Sequence, residues 1–173
     1  MNAEDYGVPQ PPEIKKPWVF KTAQKLGMPI LFLIPILAIF GVFGNSSTMV
    51  TERGQNLALE TSFPTKLRHK TIAPLVVKVT NLAAQTVPTV TLKFDEEYLS
   101  AFSNVAFQPG VDEITDDAYY VHVRDLEANE TRLVTLEVQA EQYWRHEGIV
   151  GAAVGGSNAA SDVEVEIQTF LFP

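Results

Sequence analysis

Hydrophobic and polar positions along the chain follow two different rhythms. No charged residue occurs from Leu26 through Thr51, and Met28–Phe43 is almost wholly apolar. From Leu26 to Phe43 a helix rising about 1.5 Å per residue covers roughly 27 Å, close to the hydrocarbon thickness of a bilayer. The stretch is apolar on every face, so it lacks the polar stripe that a core helix turns toward water. It predicts one transmembrane helix over 26–44. Pro29 suits the first turn, where its missing N–H needs no partner. Pro35 removes an interior donor, which predicts a kink and leaves the carbonyl of Leu31 unpaired.

Beyond a polar linker over 45–56 the rhythm changes to alternation. Leu57–Phe63 is a short first strand. Leu75, Val77 and Val79 then share one face, as do Val90, Leu92 and Phe94. Tyr119–Val123 is β-branched and aromatic, and Val134, Leu136, Val138 and Ala140 alternate with Thr135, Glu137 and Gln139. Gly148–Val154 is small and apolar, and Val163–Phe172 alternates with Glu164, Glu166 and Gln168. Turn signals at Asn81, Pro109-Gly110, 127–130 and 155–158 separate most of these segments. About seven strands with no long helical pattern between them predict an all-β, antiparallel sandwich over 57–173.

Charge orients the pattern. Residues 1–44 hold Lys15, Lys16, Lys21 and Lys25 against three acids, while residues 45–173 hold nine basic and eighteen acidic side chains. The positive-inside rule places a cytoplasmic tail at 1–25 and the β-domain outside the bacterial inner membrane, in the periplasm. A cleaved signal peptide fits less well, because the n-region is long and Val42-Phe43-Gly44 is a poor cleavage context. Val8–Pro17 is proline-rich, so a helix entering the span would begin at Trp18, just after Pro17. Trp18 and Phe20 sit beside Lys16 and Lys21, as anchors at the headgroup level do.

On this pattern a likeness can be placed. Ala73–Phe94 is a strand ending in Val79-Thr80-Asn81 followed by a second strand. With the turn-then-strand passage Leu126-Glu-Ala-Asn-Glu-Thr-Arg-Leu-Val134, it resembles bacterial immunoglobulin-like or fibronectin-III-like extracytoplasmic modules. The resemblance covers about 110 residues, the size of one such module, without the Cys–Trp–Cys pattern of antibody-type domains. It implies the sandwich fold and a role in binding, spacing or bracing.

Composition narrows the chemistry. With no cysteine, thiolate metal sites, iron–sulfur clusters and cysteine nucleophiles are excluded. A net charge of −8 argues against a nucleic-acid partner. His69, His122 and His146 show no metal-ligand spacing, and the acidic run Asp112–Asp117 with Asp95–Glu97 lacks the order of a calcium loop. No catalytic residue, metal site or cofactor is expected, and the chain reads as a non-enzyme.

What remains suits contact. Tyr143-Trp144-Arg145-His146 gathers residue types common in interface hot spots, although Trp144 could equally plug the sandwich core. If Val163, Val165, Ile167 and Leu171 face inward, Phe170 and Phe172 face outward and need a cover. Pro35, Gly41 and Gly44 bend the helix or permit close backbone approach. Together these features point to a single-pass accessory subunit that braces a larger membrane complex. By analogy that complex is a respiratory or photosynthetic assembly, with integral membrane subunits and the lipid bilayer as partners. A membrane-tethered assembly factor, or a periplasmic ligand-binding module acting alone, is the alternative.

Overall fold

The computed structural model describes residues 18–39 and 44–173, without the side chains of 18–24 and 26. The chain divides into two units, Met1–Phe43 and Gly44–Pro173. In the first, helix α1 (Trp18–Ile39) begins directly after Pro17 and runs through both Pro29 and Pro35. Its apolar side chains have no core of their own: Met28, Leu31 and Phe32 are each more than 60% exposed. Among the described residues, no helix is long and apolar enough to cross a membrane.

The second unit is built from strands β1 (Ser46–Arg53), β2 (Leu57–Arg68), β3 (Ile72–Asn81) and β4 (Val87–Asp95). A single helical turn, α2 (Glu96–Leu99), leads to β5 (Phe102–Gln108) and the short β6 (Glu113–Ile114). The unit closes with β7 (Ala118–Leu126), β8 (Thr131–Ala140), β9 (Trp144–Val154) and β10 (Val163–Phe172). One hydrogen-bonded path joins them in the order β5-β8-β3-β2-β10-β9-β4-β7-β6, with β1 added to β2. The path curls on itself. Leu59, Val77 and Leu136 from one half, and Leu92, Val121, Val150 and Ile167 from the other, belong to a single buried cluster. The β-rich fold expected from alternation is therefore present, as one curled sheet of ten strands rather than about seven.

Three expectations are corrected. Residues 45–56 are not a linker, because Ser46–Arg53 pairs with β2 along eight positions. This strand hides from pattern reading because only Val50 reaches the core and every other position is exposed. Strand β5 was missed because it bulges: its register against β8 shifts between Ser103 and Ala106, and Asn104 adopts φ +53°. The sheet is also not wholly antiparallel, since β10 runs parallel to the end of β2.

That parallel pairing follows from a change of partner within β2. Leu57–Ser62 pairs with β3, whereas Lys66–Arg68 pairs with β10. Pro64, which has no N–H to give a ladder, stands between the two registers. Its carbonyl is used instead: Thr169 donates its hydroxyl to Pro64 O. Tyr98 Oη lies 2.8 Å from Thr169 Oγ1, and because the Thr169 proton is already committed, Tyr98 is the donor. A buried relay thus ties α2 to β10 and β10 to the point where β2 changes partner.

Desolvation pushes the Tyr98 hydroxyl up to about 12, partly offset by the Thr169 hydrogen bond. A raised folded value stabilises the protein below the unfolded value near 10 and is lost as pH rises toward 12. We therefore expect stability to fall by about 2–3 kcal/mol across that window in urea titrations at stepped pH. Tyr98→Phe should flatten this slope, while costing about 1–2 kcal/mol at pH 8 through the stranded Thr169 oxygen.

The far end of the unit is tied by side chains. Asp162 Oδ2 accepts from the backbone N–H groups of Asn56 and Leu57, at 3.0 and 2.9 Å, fixing the β1–β2 turn to the loop before β10. Gly54 is required there, since a Cβ would stand 2.3 Å from Asp162 O. Asn81, wholly buried, donates through Nδ2 to the carbonyls of Gln85, Leu126 and Glu127 and accepts from Ala83 N–H.

Candidate functional site

The β-unit begins at Gly44, an exposed residue in a bend. Asn45 Oδ1 accepts from Arg68 N–H at 3.2 Å. At this same end His69 N–H donates to Phe172 O, and Lys70 N–H donates to Ala140 O, both at 2.8 Å. The start of β1, the ends of β2, β8 and β10, and the start of β9 therefore meet where the chain enters the unit. This tether end carries most of the contact residues proposed from sequence.

Trp144 is not a core plug. It is 75% exposed, and its φ of +82° is rare for a bulky side chain. Its register partner is the buried Leu171, so a regular strand would aim position 144 at the core; the left-handed backbone turns it out instead. Holding such a conformation costs of order 1–3 kcal/mol, which the surrounding bonds must offset. They are in place. Ala101 O accepts from both Glu141 N–H and Gln142 N–H, and Gln142 Nε2 donates to Ser100 O. Tyr143 is 43% exposed and lies 4.9 Å from the His69 ring, while His146 Nε2 is 3.0 Å from Tyr143 O.

Phe170 faces outward as the alternation requires and is 42% exposed, whereas Phe172 is half-buried. Across three strands Phe170 stands between Lys66 on β2 and Arg145 on β9. The same outer face opens as a groove of about 800 Å³ lined by Thr48, Phe63, Lys66, Arg145, Glu166 and Phe170. Pro35 is exposed within α1, and Gly44 opens the β-unit. Gly41 and the tail 1–17 lie outside the described residues, as do the side chains of Trp18 and Phe20.

Several polar residues that might have carried chemistry are engaged in structure, whereas His69 Nδ1 is buried without a hydrogen-bond partner. Thr91 donates to Gly155 O, so His122 Nδ1, 2.9 Å from Thr91 Oγ1, is the donor in that pair. Asp112 Oδ2 accepts from His122 N–H at 2.7 Å. The Thr115 hydroxyl, then Lys93, hold the Asp117 carboxyl below its usual range. The backbone N–H of Glu127, then Arg132, do the same for Glu130. Among the described residues, no group of three or more acidic or histidine side chains could hold a metal ion. Asn81, whose side chain organises two loops, was legible in sequence only as a turn signal.

No family model matches the chain, and no curated protein matches it. Among solved structures it is similar to the CARDB domain of the PF1109 protein from Pyrococcus furiosus, crystallised with di-metal ions. The TM-score is 0.45 at 13% identity, over 72% of this chain and 95% of that one. It is also similar to a β-glucosidase from Listeria innocua, with a TM-score of 0.38 at 12% identity, over 74% of this chain and 16% of the enzyme. A third likeness is to WR4, a C. elegans MSP family member, with a TM-score of 0.36 at 8% identity, over 62% of this chain and 93% of that one. At this distance such likenesses say nothing about activity or ligand.

Proposed function

We propose that the chain is a non-catalytic, single-pass accessory subunit that stabilises a larger membrane complex, with its β-unit outside the cytoplasm. The observation that carries this reading is α1, whose apolar side chains are exposed rather than gathered on one buried face. Water is a poor environment for such a surface, whereas lipid or a neighbouring apolar helix accepts it. In sequence the uncharged stretch continues beyond Ile39 through Phe43, which supplies the length of a span. The reading of the β-unit as a brace is supported by Asn81, Asp112, Asp162 and Glu130, whose side chains are spent on turns and strand ends. Respiratory and photosynthetic assemblies are the class of complex this architecture suits.

In hydrocarbon, leucine gains nothing from touching another helix rather than lipid, so recognition within the bilayer must come from shape. Replacing Leu26–Gly44 by an unrelated poly-leucine span is therefore expected to keep the chain in the membrane but lose its complex. Stoichiometric co-purification of the tagged native chain in mild detergent, and its loss in the swapped chain, is the expected pair of results. Unchanged co-purification would assign recognition to the tail or the β-unit. The open groove beside Phe170 favours a second reading, a tethered assembly factor or ligand-binding module; that version would co-purify only substoichiometrically. Protease added to spheroplasts should digest residues 52–173 and spare the N-terminus, and protection of the β-unit would overturn the orientation.

A further inference from the structure

We propose that the tether end of the β-unit is a docking edge for an anionic lipid surface, resting on the reading of α1 as a membrane span. Segments 44–46, 66–72, 139–146 and 170–173 meet at this end and contain Lys66, Arg68, Lys70 and Arg145 against Glu141, while Asp95, Glu147 and Glu166 line the groove beside Phe170. The whole unit carries nine cations and eighteen acids, so its positive charge is concentrated where the chain enters. All four cations are exposed. Arg145 pairs with Glu147, while among the described residues Lys66, Arg68 and Lys70 join no ion pair.

The apolar part of the edge matches the same surface. Trp144, Ile72, Tyr143 and Phe170 are 75, 63, 43 and 42% exposed, and Trp144 is turned outward by its own backbone. Trp and Tyr present an apolar body with one polar atom, the combination that settles at the headgroup level. Exposed lysines and arginines beside them gain from the negative potential of anionic lipids. The proposed span over 26–44 ends in sequence at Gly44, the first residue of this end, and the interfacial layer is about 5–8 Å thick on each side. Docked there, Lys66, Arg68 and Lys70 contact lipid phosphates while Trp144 enters the headgroup layer, and the acidic remainder of the unit faces away.

Trp18 and Trp144 are the two tryptophans, so Trp18→Phe leaves Trp144 as sole reporter. The full chain carrying that change is reconstituted into phosphatidylcholine vesicles, with or without phosphatidylglycerol, containing lipid brominated high on the acyl chain. Each preparation is first washed with alkaline carbonate. In the anionic vesicles we expect blue-shifted emission and quenching at least about twice that in neutral ones, weakening with added salt. Combined Lys66→Glu, Arg68→Glu and Lys70→Glu should remove the difference, with an unchanged circular dichroism spectrum reporting the fold. A chain retained after carbonate but with Trp144 unquenched overturns docking and leaves the span intact, pointing to a partner protein or second copy at this end. Quenching that ignores lipid charge and survives the triple substitution overturns the assigned chemistry. Release by carbonate overturns the span and this inference with it.

Discussion

Asn81→Asp is expected to be the most destabilising single-atom change in the β-unit, costing at least about 4 kcal/mol at neutral pH. The amide nitrogen of Asn81 lies 2.9, 3.0 and 3.1 Å from the carbonyls of Gln85, Leu126 and Glu127. Putting an oxygen there removes the donor from three acceptors and sets a carboxylate against their partial negative charge, in a site with no access to water. The backbone of Asn81 is used as well, since its N–H donates to Glu130 O and its carbonyl accepts from Asn129 N–H. The β3–β4 loop and the β7–β8 turn would therefore loosen together. Asn81→Ala loses the same bonds without the repulsion and is expected to cost about 3 kcal/mol. Urea unfolding of both variants gives the order, and an Asp variant more stable than the Ala variant would defeat the argument. Burial among carbonyls raises the pKa of a new carboxyl, so the Asp deficit should also shrink as pH falls.

Gly148→Ala should cost about 3 kcal/mol, or roughly 10 °C in melting temperature for a unit of this size. A Cβ at position 148 would stand 2.4 Å from Tyr98 Cβ and 2.9 Å from Tyr98 Cγ. These atoms are the root of the side chain, so no rotation of a flexible tip relieves the collision. Either α2 or β9 must shift, and the Tyr98–Thr169–Pro64 relay is strained with it. Gly110 and Gly156 have nothing within 4 Å of an added Cβ, so alanine at either should stay within about 0.5 kcal/mol of the parent. Thermal unfolding in detergent separates the cases, and equal effects at positions 148 and 110 would refute the packing account.

Much of the core was legible because one face of each central strand is dry. Leu75, Val77 and Val79, Val134 to Ala140, and Val163 to Leu171 all bury the side that alternation assigns to them. The reading failed where burial does not follow period two. Strand β1 is exposed nearly throughout, so its residues carry no hydrophobic signature, and the bulge in β5 breaks the register that a pattern needs. Trp144 was misplaced in one of its two readings because a large aromatic beside a strand usually fills the core. Its left-handed φ, which decides the matter, follows a turn whose residues Glu141 and Gln142 are bonded to Ser100 and Ala101, some forty residues earlier. The meeting of Lys66, Arg68, Lys70 and Arg145 was hidden for a related reason, since β2 and β9 are brought together by β10, the last strand in the chain.

The way β1 joins β2 also determines how the unit bears tension. A pull on Gly44 directed out of the tether end runs along the axis of β1, because the strand starts there and proceeds to Arg53 at the far end. Hydrogen bonds of an antiparallel ladder lie across the strands, so such a pull loads the pairs from Ser46↔Lys66 to Arg53↔Ala58 side by side. They must slip together, whereas a pull sideways would open them one at a time. An otherwise exposed strand thereby becomes a mechanical clamp at the entry to the β-unit, and a load applied at Gly44 is shared along the whole β1–β2 ladder before any single pair opens.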